Sequence, residues 1–141
     1  MDLLLRRLFL SLLILSVAAC RAPSPNDDTK NPPASVTGGV TYLQRSALPA
    51  DALVIVRLED VSRQDAPGLL IGEQDIGTEG RQVPIPYAVL YDAQQIDKGH
   101  SYAVSARIMH GDKVLFQSDE PYRVITQGNP TSVDITVKPA P

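Results

Sequence analysis

The 141 residues contain 13 Lys and Arg against 16 Asp and Glu, which gives a formal net charge of −3, and they contain no Trp. Nucleic-acid binding needs a basic patch, and no cluster of Lys or Arg follows residue 20, so we expect no nucleic-acid partner. Sugar sites often stack their ligand on Trp or Tyr rings, so the lack of Trp weakens the case for a carbohydrate site.

The first twenty residues carry the pattern of an export signal. Arg6 and Arg7 precede an apolar stretch at residues 8–19, which has the length of a signal-peptide core and is shorter than the ~20 residues of a spanning helix. The stretch ends in small residues, and Cys20 follows directly. This order is similar to the lipobox of bacterial lipoproteins. The alternatives are an ordinary secretory signal followed by a chance cysteine, or an uncleaved amphipathic anchor.

We predict that Cys20 is the lipid-attachment site and the first residue of the mature protein. It would carry N-acyl and S-diacylglycerol groups, and no other cofactor is expected. Burial contributes ~0.8 kcal/mol per CH₂, so two or three chains anchor a protein stably in membrane lipid. The interpretation also accounts for a single cysteine, which has no partner for an internal disulfide. Arg21 stands where an Asp tends to retain lipoproteins in the inner membrane, so we expect the periplasmic side of the outer membrane.

Three segments are predicted. Residues 1–19 form the signal peptide, residues 20–35 the lipidated N-terminus and a flexible tether with four prolines, and residues 36–141 the folded domain. Removing residues 1–19 leaves 122 residues and changes the net charge to −4, because Arg6, Arg7 and Asp2 are lost. In a polyproline-like conformation, the tether could hold the domain about 45 Å from the membrane at ~3.1 Å per residue.

The domain is predicted to consist of short strands, with turn residues about every ten positions and no helix of useful length. Gly38 and Gly39 suggest a bulge or an edge in the first strand, and Pro84 and Pro86 suggest that the fourth is an edge strand or an irregular strand at its start. Gly111-Asp112 is placed for a primed hairpin turn, and residues 92–99 have room for one helical turn. The predicted strands are residues 36–42, 52–59, 69–76, 85–91, 102–109, 114–116, 122–126 and 133–137.

This pattern predicts an all-β fold, an antiparallel β-sandwich of seven or eight strands with an immunoglobulin-like or transthyretin-like build. A small barrel is the alternative. We expect the strand at residues 52–59 to be central, because both of its faces begin apolar. The strand at residues 102–109 shows the cleanest half-buried alternation.

The sequence contains no set of residues for catalysis, so we expect no enzyme and list no catalytic residue. His100 and His110 would lie roughly 33 Å apart along one strand and cannot share a metal there. Asp60 and Asp65 match no calcium-loop spacing and are expected to be solvated loop charges. The tyrosines are expected to pack in the core. Arg107 is expected to face solvent, with a carboxylate of a partner as the alternative contact.

The ordered motifs of residues 36–138 are similar to those of the YbaY/YscW lipoprotein family. The resemblance rests on architectural motifs: Gly38 to Tyr42, Leu48 to Ala52, Val54 to Ser62 with Asp65-Ala66, Pro84 to Tyr87, Tyr91-Asp92, Ile96, Tyr102 to Ile108, Leu115-Phe116 and Val124 to Pro130. It implies a small β-sandwich of the bacterial envelope. It also implies a relation to pilotins of type III secretion, which bind a secretin subunit and help deliver it to the outer membrane. No secretin-binding residue can be transferred by motif.

We therefore expect a non-enzymatic, monomeric outer-membrane lipoprotein whose sandwich binds another envelope protein, such as a secretin. Capture of a partner segment by strand addition at an edge, or in a groove between the sheets, is the expected mode. The alternative is a small-ligand or glycan-binding envelope module.

Overall fold

The computed structural model describes residues 33–141. The predicted signal peptide, Cys20 and most of the tether lie outside the described residues. The described chain forms nine strands and one short 3-10 helix at Ala93–Gln95, the single helical turn expected there. The strands are β1 (Ala34–Thr41), β2 (Leu53–Asp60), β3 (Leu69–Gly77), β4 (Ile85–Tyr91), β5 (Tyr102–His110), β6 (Lys113–Gln117), β7 (Tyr122–Val124), β8 (Ile135–Thr136) and β9 (Lys138–Pro139). No helix among these residues is long and apolar enough to span a membrane.

Two sheets pack face to face, which confirms the all-β sandwich. The smaller sheet has the order β4-β1-β8, and the larger sheet has the order β3-β2-β5-β6-β9, with β7 paired to β5 beyond the end of β6. Most pairs are antiparallel. Strand β2 lies between β3 and β5, so the prediction of a central strand at this place is confirmed.

Period-two alternation places one side of each sheet in a shared core. Strand β4 alternates strictly, with Ile85, Tyr87, Val89 and Tyr91 buried and the residues between them exposed. Full burial of an aliphatic side chain contributes roughly 1.5–3 kcal/mol, so such rows specify which face of each strand points inward. The fully buried side chains of β2 and β5 that meet this row are Val54, Val56, Leu58, Val104 and Ile108.

The hairpin between β5 and β6 follows its sequence signal. His110 pairs with Lys113, and Gly111 and Asp112 form the two-residue turn. Gly111 has a φ of 58°, whereas Asp112 has no positive φ, which is the pattern of a type II′ turn. The predicted primed turn is therefore confirmed, and glycine occupies the position where a side chain would be strained.

The prediction of an edge or a bulge at the glycines of β1 is wrong. Strand β1 is the middle strand of the smaller sheet, and its register with β4 is continuous from Ala34 to Val40. The reason for glycine is a close approach by another segment. A Cβ at Gly38 would lie 1.9 Å from the Val133 carbonyl oxygen, so only glycine lets that segment run beside β1.

The C-terminal end of the chain is split between the two sheets: the predicted last strand at residues 133–137 contains β8, and an additional short strand, β9, follows it in the larger sheet. Ile135 and Val137 are buried as the alternation predicts, but the segment runs parallel to β1, with Val40 opposite Ile135. The chain then crosses over, and Lys138 pairs with Gln117 of β6. This split raises the count to nine strands and makes the smaller sheet mixed rather than purely antiparallel.

Neighbouring groups cover the free backbone of several edge strands. At the corner where β3 meets β4, the Gln74 side chain accepts a hydrogen bond from the Ala88 N–H (2.7 Å). At the opposite side, the Thr136 N–H of β8 donates to the Tyr122 hydroxyl (3.0 Å), and the Ala140 N–H donates to the Leu115 carbonyl of β6 (2.9 Å). Covered edges of this kind resist pairing with another chain.

Candidate functional site

The side of the larger sheet that points away from the core, which we call the outer face, carries the most distinctive set of side chains outside the core. It is formed by the residues of β2 and β5 that alternate with the core residues, and by their neighbours on β3, β6 and β7. Cross-strand pairing arranges these residues in four rows. From β3 towards β6 or β7 the rows are Leu70-Glu59-Ala103-Arg123, Glu73-Arg57-Ser105, Asp75-Ile55-Arg107-Gln117 and Gly77-Leu53-Met109-Val114.

A groove of about 200 Å³ opens in the middle of this face. It is lined by residues from β2, β5 and the end of β6, namely Ile55, Arg57, Glu59, Ser105, Ala106, Arg107, Gln117 and Ser118. Ser118 fixes one side, because its hydroxyl both donates to the Ala106 carbonyl (2.9 Å) and accepts from the Ala106 N–H (2.7 Å). The groove wall at the end of β6 is therefore tied firmly to β5.

Arg107 is the unusual residue of this groove. Its Nε atom is buried, yet it has no hydrogen-bond partner among residues 33–141. Its cross-strand neighbours are Ile55 on β2 and Gln117 on β6. The prediction that Arg107 points away from the core is confirmed, but the side chain is only partly exposed rather than freely solvated. Leaving a buried donor unpaired costs about 1–3 kcal/mol, so the Arg107 guanidinium lacks the stabilisation that an acceptor for its Nε–H would give.

Arg57, one row away, is in a different state. Its Nε donates to the carboxylate of Glu73. About a third of each side chain is exposed, slightly more for Arg57 than for Glu73. The hydrogen bond with Glu73 raises the pKa of Arg57, and the charges of Glu73, Glu59 and Asp75 act in the same direction against burial. The acidic residues of the outer face thus cluster around Arg57 on the β3 side and leave Arg107 without a carboxylate.

The fourth row of the outer face is apolar. Leu53 on β2 is opposite Met109 on β5, and Met109 is opposite Val114 on β6; all three side chains are partly exposed. Together with Ile55 they form an apolar strip beside Arg107. An apolar strip next to an unpaired charged donor is the composition expected of a protein-contact surface rather than of a catalytic site.

A second depression lies on the outside of the smaller sheet. It encloses about 580 Å³ and is lined by Gly38, Gly39, Thr41, Pro84, Pro86 and Asp134. Its one charged group is engaged, because Asp134 accepts a hydrogen bond from the Gly39 N–H (2.8 Å). The volume is within the range of ligand pockets, but the lining offers no aromatic side chain and no basic side chain to orient a ligand.

The two histidines lie at opposite ends of β5, where the sequence places them. His100 contacts Asp60 and His110 contacts Asp51 (3.1 Å), and both imidazoles are about half exposed. Within residues 33–141 no group of three or more His, Cys, Asp or Glu side chains is placed to hold a metal ion. Asp65 is an exposed loop residue, as expected.

Asp60 is the centre of a polar cluster rather than a solvated charge. Its Oδ1 accepts hydrogen bonds from the N–H (2.9 Å) and the hydroxyl (2.5 Å) of Ser62, and its Oδ2 lies 2.6 Å from Nδ1 of His100. The Ser62 hydroxyl also accepts from the Ser101 N–H, and Thr126 donates to the His100 carbonyl (2.6 Å). These bonds join the ends of β2, β5 and β7 at one end of the sandwich.

We expect this cluster to make stability depend on pH. The hydrogen bond with Asp60 raises the pKa of His100 above its ordinary 6.5. Burial acts to raise the pKa of Asp60, but the hydrogen bonds from Ser62 and His100 outweigh it and hold that pKa below 3.8. The His100 contribution is complete below pH 6.5 and lost as the pH rises through its raised pKa. The Asp60 contribution is complete above pH 3.8 and lost as the pH falls through its lowered pKa.

Urea unfolding across this pH range tests the linkage. The stability difference between wild type and the His100→Gln variant should be largest between the two ordinary pKa values and should shrink as the solution becomes alkaline. Asp60→Asn should remove the same pH dependence. A difference that grows with rising pH would contradict the assignment.

The tyrosines are structural. Tyr42, Tyr87, Tyr91 and Tyr102 belong to the buried core cluster, and Tyr122 packs against it. The Tyr42 ring stacks on Phe116, with ring centroids 4.3 Å apart. The prediction that they pack in the core is confirmed, and none is placed as a platform for a sugar ring.

Cys20, the predicted lipid-attachment site, lies outside the described residues, and its acylation stays a prediction. Sequence reasoning missed the burial of the Arg107 Nε atom and the row arrangement around it. The alternation placed Arg107 on the outer side, but it could not show that Gln117 and Ser118 line the same groove. Those residues lie at and just beyond the end of β6, whose register with β5 the sequence does not show.

The comparisons with known proteins agree with each other. The family model described as "Type III secretion system lipoprotein chaperone (YscW)" matches residues 31–137. The Escherichia coli (strain K12) lipoprotein YbaY, described as uncharacterized, is 31% identical over 140 residues, which cover 89% of this chain and 73% of that protein. A solved structure of an alternative pilotin from the type II secretion system of Vibrio cholerae is 40% identical with a TM-score of 0.75. That match covers 78% of this chain and 99% of the pilotin chain.

The sequence resemblance to the YbaY/YscW lipoproteins is therefore confirmed by a family match, a relative and a solved structure. These relatives are described as a lipoprotein chaperone, a lipoprotein and a pilotin, which is a non-enzymatic class of envelope protein. The chain belongs to the YscW family of secretion-system lipoprotein chaperones.

Proposed function

We propose that this chain is an outer-membrane lipoprotein that binds a secretin subunit and helps to deliver it to the outer membrane, as a pilotin does. The observation that carries the proposal is the 40% identity to a pilotin over 99% of that pilotin's length, at a TM-score of 0.75. Acylated Cys20 would anchor the protein on the periplasmic side, and residues 21–33 would connect the anchor to the domain. The protein would act as a monomer. The relatives divide between type II and type III secretion, and secretins are the partner class that the family implies for both.

We place the docking surface on the outer face of the larger sheet. Strand addition is disfavoured at β4 and β8, because the Gln74 and Tyr122 side chains accept hydrogen bonds from the Ala88 and Thr136 N–H groups of these edge strands. The outer face instead combines the apolar strip with the groove around Arg107. Apolar contacts supply the affinity of such a surface, and paired polar groups supply its specificity.

Co-purification of the acylated chain with the secretin from the same bacterium tests the proposal. Met109→Lys places a charge in the apolar strip and should reduce secretin recovery by about tenfold or more, because a desolvated interface tolerates an unpaired charge poorly. Ala88→Lys places the same charge on the exposed side of β4 in the smaller sheet and should leave recovery unchanged.

Deletion of the gene gives the second readout. Secretin multimers should then fail to assemble in the outer membrane, and the wild-type chain should restore them. Normal assembly and location of the secretin without this protein would refute the pilotin role. Equal loss of binding in Met109→Lys and Ala88→Lys would refute the placement on the outer face.

The small-ligand or glycan-binding alternative receives no specific support from the described residues. The larger depression has its carboxylate engaged, and the tyrosines are in the core.

A further inference from the structure

We infer that the groove around Arg107 binds a side-chain carboxylate, Asp or Glu, of the partner segment that lies across the outer face. This inference rests on the proposed function for the identity of the partner, but the groove itself can be tested without it. The starting observation is the buried Nε atom of Arg107, which has no acceptor among the described residues.

The chemistry of the unpaired group selects the ligand. A guanidinium only donates, in a planar fork that matches a carboxylate, and the bonds of such a pair are charge-assisted and often bidentate. More than nine in ten buried polar groups in folded proteins are paired, so an unpaired one in an open groove indicates an acceptor that arrives from outside. Of the residues that line the groove, Ser105 and Gln117 are uncharged, and the one carboxylate, Glu59, lies two rows away from Arg107.

The distribution of acidic residues distinguishes Arg107 from Arg57, the other arginine that lines the groove. Glu73 pairs with Arg57, and Glu59 lies in the row beyond. Asp75 is in the same row as Arg107 but two strands away, which is about 10 Å at the usual strand spacing. Of the two arginines that line the groove, Arg107 is therefore the one that attracts a carboxylate, whereas Glu73 and Asp75 at the β3 side would repel it.

The surroundings favour a side-chain carboxylate over the end of a chain. The row continues on both sides of Arg107, with Ile55 on β2 and Gln117 on β6, and the apolar strip runs beside it. A segment that crosses the strands contacts all of these positions only if it extends past the carboxylate in both directions. It would also place a basic residue about 10 Å from the acid, opposite Asp75.

Nuclear magnetic resonance of the full chain in detergent micelles tests the groove directly. Titration with N-acetyl-glutamate amide should shift the Arg107 Nε–H signal, and titration with N-acetyl-glutamine amide should not. The Arg57 Nε–H signal is the internal control, because its acceptor is already Glu73. An Arg107 signal that stays unchanged, or that moves equally with both compounds, would overturn the carboxylate site.

Secretin binding supplies the second arm. Arg107→Gln should weaken the binding of the full chain to the secretin roughly 30-fold, since loss of one partner from a desolvated charge pair is costly. The secretin affinity of Arg107→Lys should lie between those of wild type and Arg107→Gln, because an ammonium keeps the charge but lacks the planar fork. Arg63→Gln removes the same charge from an exposed loop and should bind as wild type does. Arg107→Gln binding as tightly as Arg63→Gln would overturn the inference while the proposed function stood.

Unfolding measurements separate this role from a structural one. Because the Arg107 Nε atom has no partner in the fold, Arg107→Gln should keep or raise the midpoint of urea unfolding. A lowered midpoint would show that Arg107 supports the fold and would contradict the inference. If wild type binds no secretin but the Arg107 signal responds to the glutamate probe, the proposed function fails and the carboxylate groove stands.

Discussion

Replacing Cys20 with serine is expected to release the protein from the membrane fraction almost completely. The predicted lipid would be absent, and residues 33–141 contain no helix that could span a membrane. Each buried CH₂ contributes ~0.8 kcal/mol, so losing two or three acyl chains removes a stable anchor, whereas a single chain would already be marginal. Fractionation of cells on a density gradient, followed by immunoblotting, measures the distribution.

The matched control changes the neighbouring residue. Arg21→Asp keeps the cysteine and should stay in the membrane fraction, but it should move from outer-membrane to inner-membrane density in an enterobacteria-like cell. Recovery of Cys20→Ser with the outer membrane would refute the anchor and with it the role of residues 21–33 as a tether; Ala34 and Ser35, which the sequence assigned to the tether, belong to β1. Unchanged density of Arg21→Asp would refute the outer-membrane sorting argument alone.

Replacing Gly38 with alanine is expected to cost about 4 kcal/mol or more and to leave little folded protein, since most small domains have only ~5–15 kcal/mol to lose. The added Cβ would lie 1.9 Å from the Val133 carbonyl oxygen and 3.1 Å from the Tyr87 ring. That carbonyl cannot easily retreat. The Val133 N–H donates to the Thr37 carbonyl (2.9 Å), and the Tyr87 hydroxyl donates to the Val133 carbonyl (2.6 Å).

Relief of this clash would detach the segment that becomes β8 from β1. That segment carries Ile135 and Val137, both fully buried, so the loss would expose core on one side of the smaller sheet. Urea unfolding of residues 21–141, followed by circular dichroism, measures the change. Gly77→Ala is the control, because a Cβ at Gly77 meets nothing within 4 Å and should change stability by no more than about 0.5 kcal/mol. Equal stability of the two variants would contradict the close approach at Gly38.

The strand positions were predictable because burial on one face leaves a period-two trace in the chain. Ile85, Tyr87, Val89 and Tyr91 show that trace, and the structure buries all four. The Gly111 turn was predictable for a related reason, since a two-residue hairpin needs a positive φ that few other residues adopt. Both signals are local and do not depend on which strands become neighbours.

The partners of each strand were not predictable in the same way. Alternation shows which side chains of a strand lie on the same face, but it does not show which other strands will pair with that strand. The glycines of β1 suggested an edge or a bulge for this reason, whereas the segment that collides with any larger residue at Gly38 lies 95 residues further along the chain. The same limit hid β9, because Lys138 directly follows the predicted terminal strand but pairs with the other sheet from Ile135.

The sequence by itself determined the strand faces, the all-β class and the family resemblance, and it predicts the lipid anchor at Cys20. Each of these depends only on the order of residues that are close together in the chain. The tertiary structure decided what the outer face offers. It placed Gln117 and Ser118 of β6 beside Arg107, left the Arg107 Nε atom buried without an acceptor, and gathered the carboxylates around Arg57 instead. Burial and charge neighbourhood arise from residues far apart in the chain, so they become visible only when the sheets have paired.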